Sequence, residues 1–305
     1  MLETDGASES RVDALMRGAI DLDCRSGPSI HARHLTHDLA AEEAAAAGQA
    51  ALAFRDDYYP TTPVARTLEK TVFADLPVKL LSGVVLNNYV GGLNPYAVEH
   101  ELMLGGRIVW MPTISAANHI RRSYRDVPSD ADARMRPREA LGVIDAKGAI
   151  TEPAREILEL IAEHDAVLAS GHLHVSEVLP LFAAARQAGV RRLLVNQPVR
   201  YAGATLADLD ELAESGAFIE LTAAAFIDGP DRHHTGEELQ AVVSAAGRSR
   251  VVLSSGLGQA HNLKPAEGLR ALIRLCLSLG FSEADLQLML SRNAARLTGL
   301  DIGDK

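Results

Sequence analysis

Eight short apolar runs, alternating with eight helix-like stretches, constrain this chain more than any other feature. The runs cover residues 19–22, 50–54, 79–86, 107–111, 166–169, 192–195, 217–221 and 250–253. Most contain Val or Ile and each gives way to polar residues, as strands buried on both faces of a parallel sheet do. The helical stretches lie at 37–47, 63–74, 95–104, 153–163, 176–187, 206–214, 236–246 and 267–279. Gly48, Gly106, Gly189, Gly216 and Gly247 stand just before five of the runs, where a glycine can end a helix and feed a strand. Pro63, Pro95 and Pro153 suit first-turn positions, with Asn94 and Thr151 as N-caps. Repeated strand–helix units predict an α/β fold, a (β/α)8 TIM-like barrel. The rival is an open doubly wound sheet. No dinucleotide fingerprint follows the first run, and the Gly256-Leu257-Gly258 turn lacks a third glycine and comes after the last.

The 305 residues would fill two average domains, but barrels of this kind use 250 or so as one. We expect a flexible N-terminus over 1–10 and a single barrel domain over 11–305. An insertion at about 112–150 carries Arg121, Arg122, Arg125, Arg134, Arg136 and Arg138. It ends in an expected hairpin, 143–145 against 149–150, with Lys147-Gly148 at the turn. Two extra C-terminal helices, 282–290 and 292–297, are expected to close the barrel.

Lys and Arg number 30 and Asp and Glu 40, for a net charge of −10. A surface of that sign argues against nucleic acid and anionic membrane as partners. No apolar run reaches the roughly 18 residues of a membrane span, and the first residues lack the basic and apolar regions of a leader. Cys24 and Cys276 are the two cysteines, too few for a disulfide scaffold or zinc ribbon. The expected setting is cytoplasmic.

In such barrels chemistry gathers at the C-terminal ends of the strands. Asp23, Cys24 and Arg25 follow the first run. Arg55, Asp56, Asp57 and Tyr58 follow the second, and Asn87, Asn88 and Gly91-Gly92 the third. Thr113, Asn118 and His119 follow the fourth, and His172 and His174 the fifth. Asn196 and Gln197 follow the sixth, Glu220 and Thr222 come with the seventh, and Ser254, Ser255, Gln259 and His261 follow the eighth. His172 and His174, two apart, would face one side of a strand and could bind a metal or act as acid and base; alternatively, one caps the following helix. His233-His234 would point to opposite sides. His31, His34 and His37 would share a face only if helical; a solvated loop is the plainer reading. Strand alternation would turn Cys24 into the wall, away from Asp23 and Arg25. The Gly91-Gly92-Leu93-Asn94-Pro95 turn presents amides at a helix start, where an anionic group could dock, or is simply a tight turn.

Several stretches carry a family resemblance: Val85-Leu86-Asn87 with Val90-Gly91-Gly92-Leu93-Asn94-Pro95, Val109-Trp110-Met111-Pro112-Thr113 with Asn118-His119, Gly171-His172-Leu173, and the end from Leu253-Ser254 through Asn293-Ala294-Ala295-Arg296-Leu297. Over about residues 18–300 the chain resembles a bacterial family of unknown function in the amidohydrolase superfamily, predicted metal-dependent hydrolases on a distorted (β/α)8 barrel. The resemblance implies Asp-Leu-His-x-His at the first strand end, where this chain has Asp21-Leu22-Asp23-Cys24-Arg25. It implies Lys-x-His after the second, where Arg55-Asp56-Asp57 stands, and a His before Pro198, where Gln197 stands. The superfamily's Asp after the last strand falls at about Gly256. His172 alone matches a ligand position.

Catalytic zinc normally keeps three protein ligands. An Arg about 4 Å from a divalent cation would be repelled by roughly 8 kcal/mol at an effective dielectric of 20. The favoured expectation is therefore an amidohydrolase-like enzyme with no cofactor, acting on a small polar, anionic metabolite by hydrolysis, elimination or isomerisation. Its candidate catalytic groups are His172, His174, Asp57 and Asp23. Its candidate substrate-binding groups are Arg25, Arg55, Tyr58, Asn87, Asn196, Gln197 and Gln259. One alternative is a non-catalytic pseudo-hydrolase that binds a ligand or protein partner. Another is a hydrolase with a rebuilt zinc, manganese or iron site on Asp23, Asp57, His172 and His174. Leucine- and alanine-rich outer helices would allow a homo-oligomer.

Overall fold

The computed structural model describes residues 2–71, 73–123 and 134–302. Its strands are β1 (Ile20–Cys24), β2 (Ala51–Phe54), β3 (Lys79–Leu81), β4 (Gly83–Val85), β5 (Ile108–Trp110), β6 (Val167–Ala169), β7 (Arg192–Val195), β8 (Phe218–Thr222) and β9 (Val251–Ser254). Every pairing is parallel, in the orders β1-β2-β3 and β4-β5-β6-β7-β8-β9. β3 and β4 are two halves of the run read as one strand over 79–86. The chain bends between them at Ser82, whose carbonyl accepts from the amides of Arg107 (2.8 Å) and Ile108 (3.2 Å). The first half pairs with β2, the second with β5. After β9 the chain returns to β1: the Gly256 amide donates to the Asp23 carbonyl (2.9 Å) and the Arg25 amide to the Leu257 carbonyl (2.8 Å). The eight expected strand units are thus present as a (β/α)8 barrel.

Side-chain alternation divides the core. Ile20, Leu22, Ala53, Trp110, Leu194 and Val252 belong to an inner cluster that fills the lumen, joined by Ala294, Ala295 and Leu297 of the last helix. That helix, Asn293–Thr298, plugs the lower end. The two C-terminal helices expected there are one path: Glu283–Gln287, a π turn Leu288–Arg292, then Asn293–Thr298. A larger cluster, including Val84, Leu168, Leu193 and Ile219, packs the outer face against the helices.

Three expectations need correction or sharpening. The start read as loose over 1–10 is helical, Leu2–Met16. Buried Val12, Leu15 and Met16 anchor it, while Asp13 and Glu9 pair with Arg270 and Arg274 of the helix Pro265–Ser278. The first strand runs to Cys24 rather than Leu22, for a reason that shapes the site. The helix expected over 63–74 is Thr62–Lys70. In the insertion, helix Ala117–Ser123 is followed by the expected turn: Ile144 bridges Ile150 and the Asp145 amide donates to the Ala149 carbonyl (2.8 Å). Arg125 lies outside the described residues. Among the described residues no helix is long and apolar enough to cross a membrane.

Candidate active site

A bulge in β1 builds the site. Asp21 pairs with Leu52 but Cys24 pairs with Phe54, so β1 uses one more residue than β2 over that span. Cys24 lies in the wall, away from Asp23 and Arg25, as alternation between these neighbours predicts; counted without a break from the lumen-facing Ile20 and Leu22, however, the same alternation would send Asp23 outward and Cys24 into the lumen. The extra residue exchanges them. Cys24 packs outward with Leu35, Ala40 and Phe54, and burial pushes its thiol far up, so it is no nucleophile. Asp21 holds the bulge: its Oδ1 accepts from the amides of Asp23 (3.1 Å) and Ser255 (2.9 Å). Burial raises this carboxyl to about 6.

Asp23 thereby joins a buried quartet of alternating charge. Arg25 Nε donates to Asp23 Oδ1 (2.6 Å) and Arg25 Nη1 to Asp57 Oδ2 (2.7 Å). Arg55 Nη1 donates to Asp23 Oδ2 (3.0 Å), and its Nη2 lies 3.6 Å from Asp57 Oδ1. The Thr113 hydroxyl donates to Asp57 Oδ1 (2.7 Å). Burial alone would raise the Asp57 carboxyl, but Arg25, Arg55 and Thr113 outweigh it and hold it well below the usual carboxylate range. Asn87 braces the loop: its Nδ2 donates to the Asp57 carbonyl (2.9 Å) and its Oδ1 accepts from the Thr113 amide (2.9 Å). Asn87 is thus a scaffold group rather than a free substrate contact. Asp56 pins the Tyr58 amide (2.9 Å), and the Tyr58 hydroxyl reaches His31 Nε2 (2.7 Å) beside Tyr89.

The segment after β6 splits the expected histidine pair. His172 is buried at the site, with its Nδ1 2.9 Å from His119 Nδ1. His174 instead N-caps the helix Val175–Gln187, accepting from the Ser176 amide (3.2 Å). The chain after β6 turns through Gly171, at φ +60°, so the i, i+2 strand geometry never applies. A Cβ on Gly171 would lie 2.2 Å from the Met111 carbonyl oxygen, so this close approach requires glycine. Tyr201 stacks on the His172 ring, centroids 4.0 Å apart and planes 17° apart. Asn118 ties these parts together, donating to the carbonyls of His172 (3.0 Å) and Tyr201 (2.6 Å). Burial first, then His119 and the two arginines, hold His172 well below the ordinary imidazole range, against the pull of Asp57. This keeps the imidazole uncharged at neutral pH.

Beneath the quartet lies a second polar layer. Asn196 Nδ2 donates to Glu220 Oε2 (2.6 Å), while Asn196 Oδ1 accepts from the Gly171 amide (3.2 Å). The Arg55 guanidinium lies over the Trp110 ring, 5.6 Å from its centroid. Among the described residues, four buried atoms here have no hydrogen-bond partner: Arg55 Nε and Nη2, Trp110 Nε1 and Glu220 Oε1. Burial and then the Asp23 charge push the Glu220 carboxyl up to about 7. Gln197 adopts φ +46°, an unfavourable conformation for a side chain with a Cβ, and its carbonyl accepts from Tyr201 and Ala202. That turn sets Tyr201 over His172, and Gln197 Nε2 donates to Thr222 Oγ1 (3.2 Å). Gln259 bonds back to the Gly256 carbonyl (3.3 Å).

Two histidines from the first loop are held by structural hydrogen bonds. His37 is buried between Ser26 Oγ (2.6 Å) and Tyr59 OH (2.7 Å), and His34 bonds the Asn262 carbonyl (2.6 Å). His31, His34 and His37 share no helical face, since the helix begins at His37. Tyr201 was invisible in the sequence, because no period or motif marks a loop residue that folds back onto a ring. His119 stood among the mouth residues, but only the fold pairs it with His172.

The donor set does not fit the metal centre that the superfamily resemblance implies. Arg25 and Arg55 stand where ligands are expected, both candidate aspartates are held by guanidiniums, and His174 is committed to a helix cap. Among the described residues no group of three or more His, Cys, Asp or Glu is arranged to hold a metal ion.

Known structures share this architecture. The probable dipeptidase PvdM from Pseudomonas aeruginosa aligns with a TM-score of 0.63 at 10% identity, covering 96% of this chain and 98% of that one. An amidohydrolase from Pseudomonas aeruginosa aligns at 0.60 and 12% identity over 94% and 98%. A 2,6-dihydroxybenzoate decarboxylase from Rhizobium aligns at 0.51 and 13% over 93% and 99%. At these identities the likeness is one of fold, that of amidohydrolase-type barrels. No curated protein matches the sequence. The family described as "Family of unknown function (DUF6282)" matches residues 18–220, two thirds of the chain, and the protein belongs to that family.

Proposed function

We propose that this protein is a metal-independent enzyme on an amidohydrolase-like barrel, acting on a small polar molecule that carries a carboxylate or develops an oxyanion. The observation that carries the reading is the Asp23–Arg25–Asp57–Arg55 quartet, set beside a neutral His172 at the mouth end of the strands. Arg25 lines the mouth, and Arg55 keeps its Nε/Nη2 edge without a hydrogen bond. Arg25, the partly exposed guanidinium, is the one that meets a carboxylate or oxyanion, and the fully buried Arg55 adds its positive charge from beneath. Asp23 and Asp57 fix both guanidiniums, so the donors need no reorganisation when charge develops.

His172 is the group for proton abstraction. It is uncharged, its Nδ1 is engaged with His119, and Tyr201 holds its plane. Glu220, raised to about 7, is suited to hold a proton near neutral pH and return it. The candidates reduce to His172 as base, Asp23 and Asp57 as positioning groups, and Arg25 and Arg55 as anion holders. His174 has no part in this assignment.

The test has two arms. Elemental analysis of protein purified without chelator, and again after incubation with zinc, manganese and iron, is expected to find no stoichiometric metal. A screen of small carboxylic acids, amides and lactones is expected to find a substrate whose turnover survives chelators and is lost in His172→Asn. Activity that requires one metal per chain, or that survives His172→Asn unchanged, overturns the proposal.

A further inference from the structure

The end of the barrel opposite the mouth carries an arginine-lined groove of about 590 Å³. Arg186, Arg191, Arg250 and Arg296 line it, with Phe218 and Glu214. Four guanidiniums face one carboxylate, in a chain whose net charge is −10. The concentration of positive charge is local and runs against the whole.

The groove is built from fixed parts. Arg186 leaves the helix Val175–Gln187 and donates to the carbonyls of Ser215 (2.8 Å) and Arg191 (3.3 Å). Arg250, just before β9, donates to the Gly216 carbonyl (3.2 Å) and lies over the Phe218 ring, 5.4 Å from its centroid. Both converge on Gly216: a Cβ there would lie 2.5 Å from Arg186 Nη2 and 4.0 Å from Arg250 Nη2. The missing side chain lets the two like charges approach the same backbone. Among the described residues, Arg186, Arg250 and Arg296 form no ion pair, while Arg191 pairs with Asp165 (3.0 Å). Burial and the neighbouring Arg250 push the Arg186 guanidinium down, the mark of a positive site lacking a counter-charge. A guanidinium has five N–H donors, and each backbone contact uses one, so several remain for a ligand.

We propose that this groove binds an oligophosphate: a compact anion of several charges, free or as the phosphate chain of a nucleotide. Three unpaired guanidiniums and a half-committed fourth match a diphosphate or triphosphate in charge, and planar N–H forks match phosphate oxygens in geometry. Its position away from the mouth makes it a site separate from the proposed reaction.

Calorimetric titration of the full-length protein with inorganic pyrophosphate at low ionic strength tests this, with inorganic triphosphate and ATP titrated in parallel. One site per chain is expected, weakening steeply with added salt. Arg186→Gln and Arg250→Gln should each weaken binding at least tenfold, and Arg296→Gln, which removes no backbone bond, should weaken it several-fold. Tighter binding of ATP than of inorganic triphosphate, its match in phosphate number, assigns a nucleotide's phosphate chain; the reverse assigns a free oligophosphate. Exposed Arg155→Gln, outside the groove, should change nothing. The proposal is overturned if none of the probes binds, if binding survives Arg186→Gln/Arg296→Gln in protein with unchanged circular dichroism, or if a folded Arg25→Gln variant at the mouth abolishes it.

Discussion

Replacing Arg55 with Met should expose how the quartet is balanced. Arg55 is fully buried, and its Nη1 and Nη2 lie 3.0 and 3.6 Å from Asp23 Oδ2 and Asp57 Oδ1. At an effective dielectric of about 20, contacts of this length correspond to roughly 5 kcal/mol of attraction each. Removing the guanidinium also removes its own desolvation cost of several kcal/mol, so the two effects largely offset. What remains is the strain of two carboxylates sharing Arg25 alone, and breaking a buried ion pair from one side costs about 3–5 kcal/mol. Met keeps the length and flexibility of the Arg stem, so little of that cost is cavity. The double variant Arg55→Met/Asp23→Asn leaves one cation, Arg25, facing one anion, Asp57. It should be more stable than the sum of the two single variants by about 2 kcal/mol or more. Urea unfolding at pH 7 reads all four proteins, the expected result being a lower midpoint for Arg55→Met at unchanged slope. A single-variant cost below about 1 kcal/mol, or a double variant that is simply additive, would refute the balanced-quartet reasoning.

Other outcomes follow from the same geometry. Glu220 keeps its proton in the folded state up to about 7, whereas an ordinary glutamate loses it near 4.5, so between these values the native state binds more protons and stability falls as pH rises. Glu220→Gln should flatten that part of the stability–pH profile, and an unchanged slope would count against a raised Glu220. Asp57 works in the opposite sense: its depressed carboxyl supports stability above the unfolded value near 3.9 and loses it as pH falls further, so Asp57→Asn should diminish acid unfolding below pH 4. Gly171→Ala should cost at least about 2 kcal/mol, because its Cβ would collide with backbone; a thermal shift of less than a degree would argue for a looser turn. Both cysteines are buried, so a thiol reagent should label the native protein far more slowly than the urea-unfolded chain.

Much of the fold was legible locally. A strand needs four or five residues with the right apolar content, and a helix needs its cap and stripe, so Leu206–Glu214 and Gly236–Ala246 were read with their bounds. The errors fell where long-range contacts decide. The helix Leu2–Met16 forms on a polar segment because its later turns dock into the core and its acids find Arg270 and Arg274, more than 250 residues away. The 79–86 run breaks at Ser82 because its halves pair with different neighbours.

The same division governs the site. Residue types and their places at strand ends were set by the sequence alone: Asp23, Arg25, Arg55, Asp57 and His172 each follow or end an apolar run, and their chemistry departs from a metal-ligand set. Their partners were not. Alternation is a local rule: it separates Cys24 from Asp23 and Arg25 as the sequence suggests, but a single extra residue in β1 shifts its phase relative to Ile20 and Leu22, and that shift turns Asp23 inward. The separation of His172 from His174 came from a turn through Gly171, packed so closely on the Met111 and Pro112 backbone that a side chain there has no room. Tyr201, His119 and Glu220 reach the centre from a loop, a helix and a strand, 29 to 53 residues from His172, across distances that carry no periodic signal. Local sequence determines which element a residue occupies and which face it offers. Only closure of the barrel decides which charges meet.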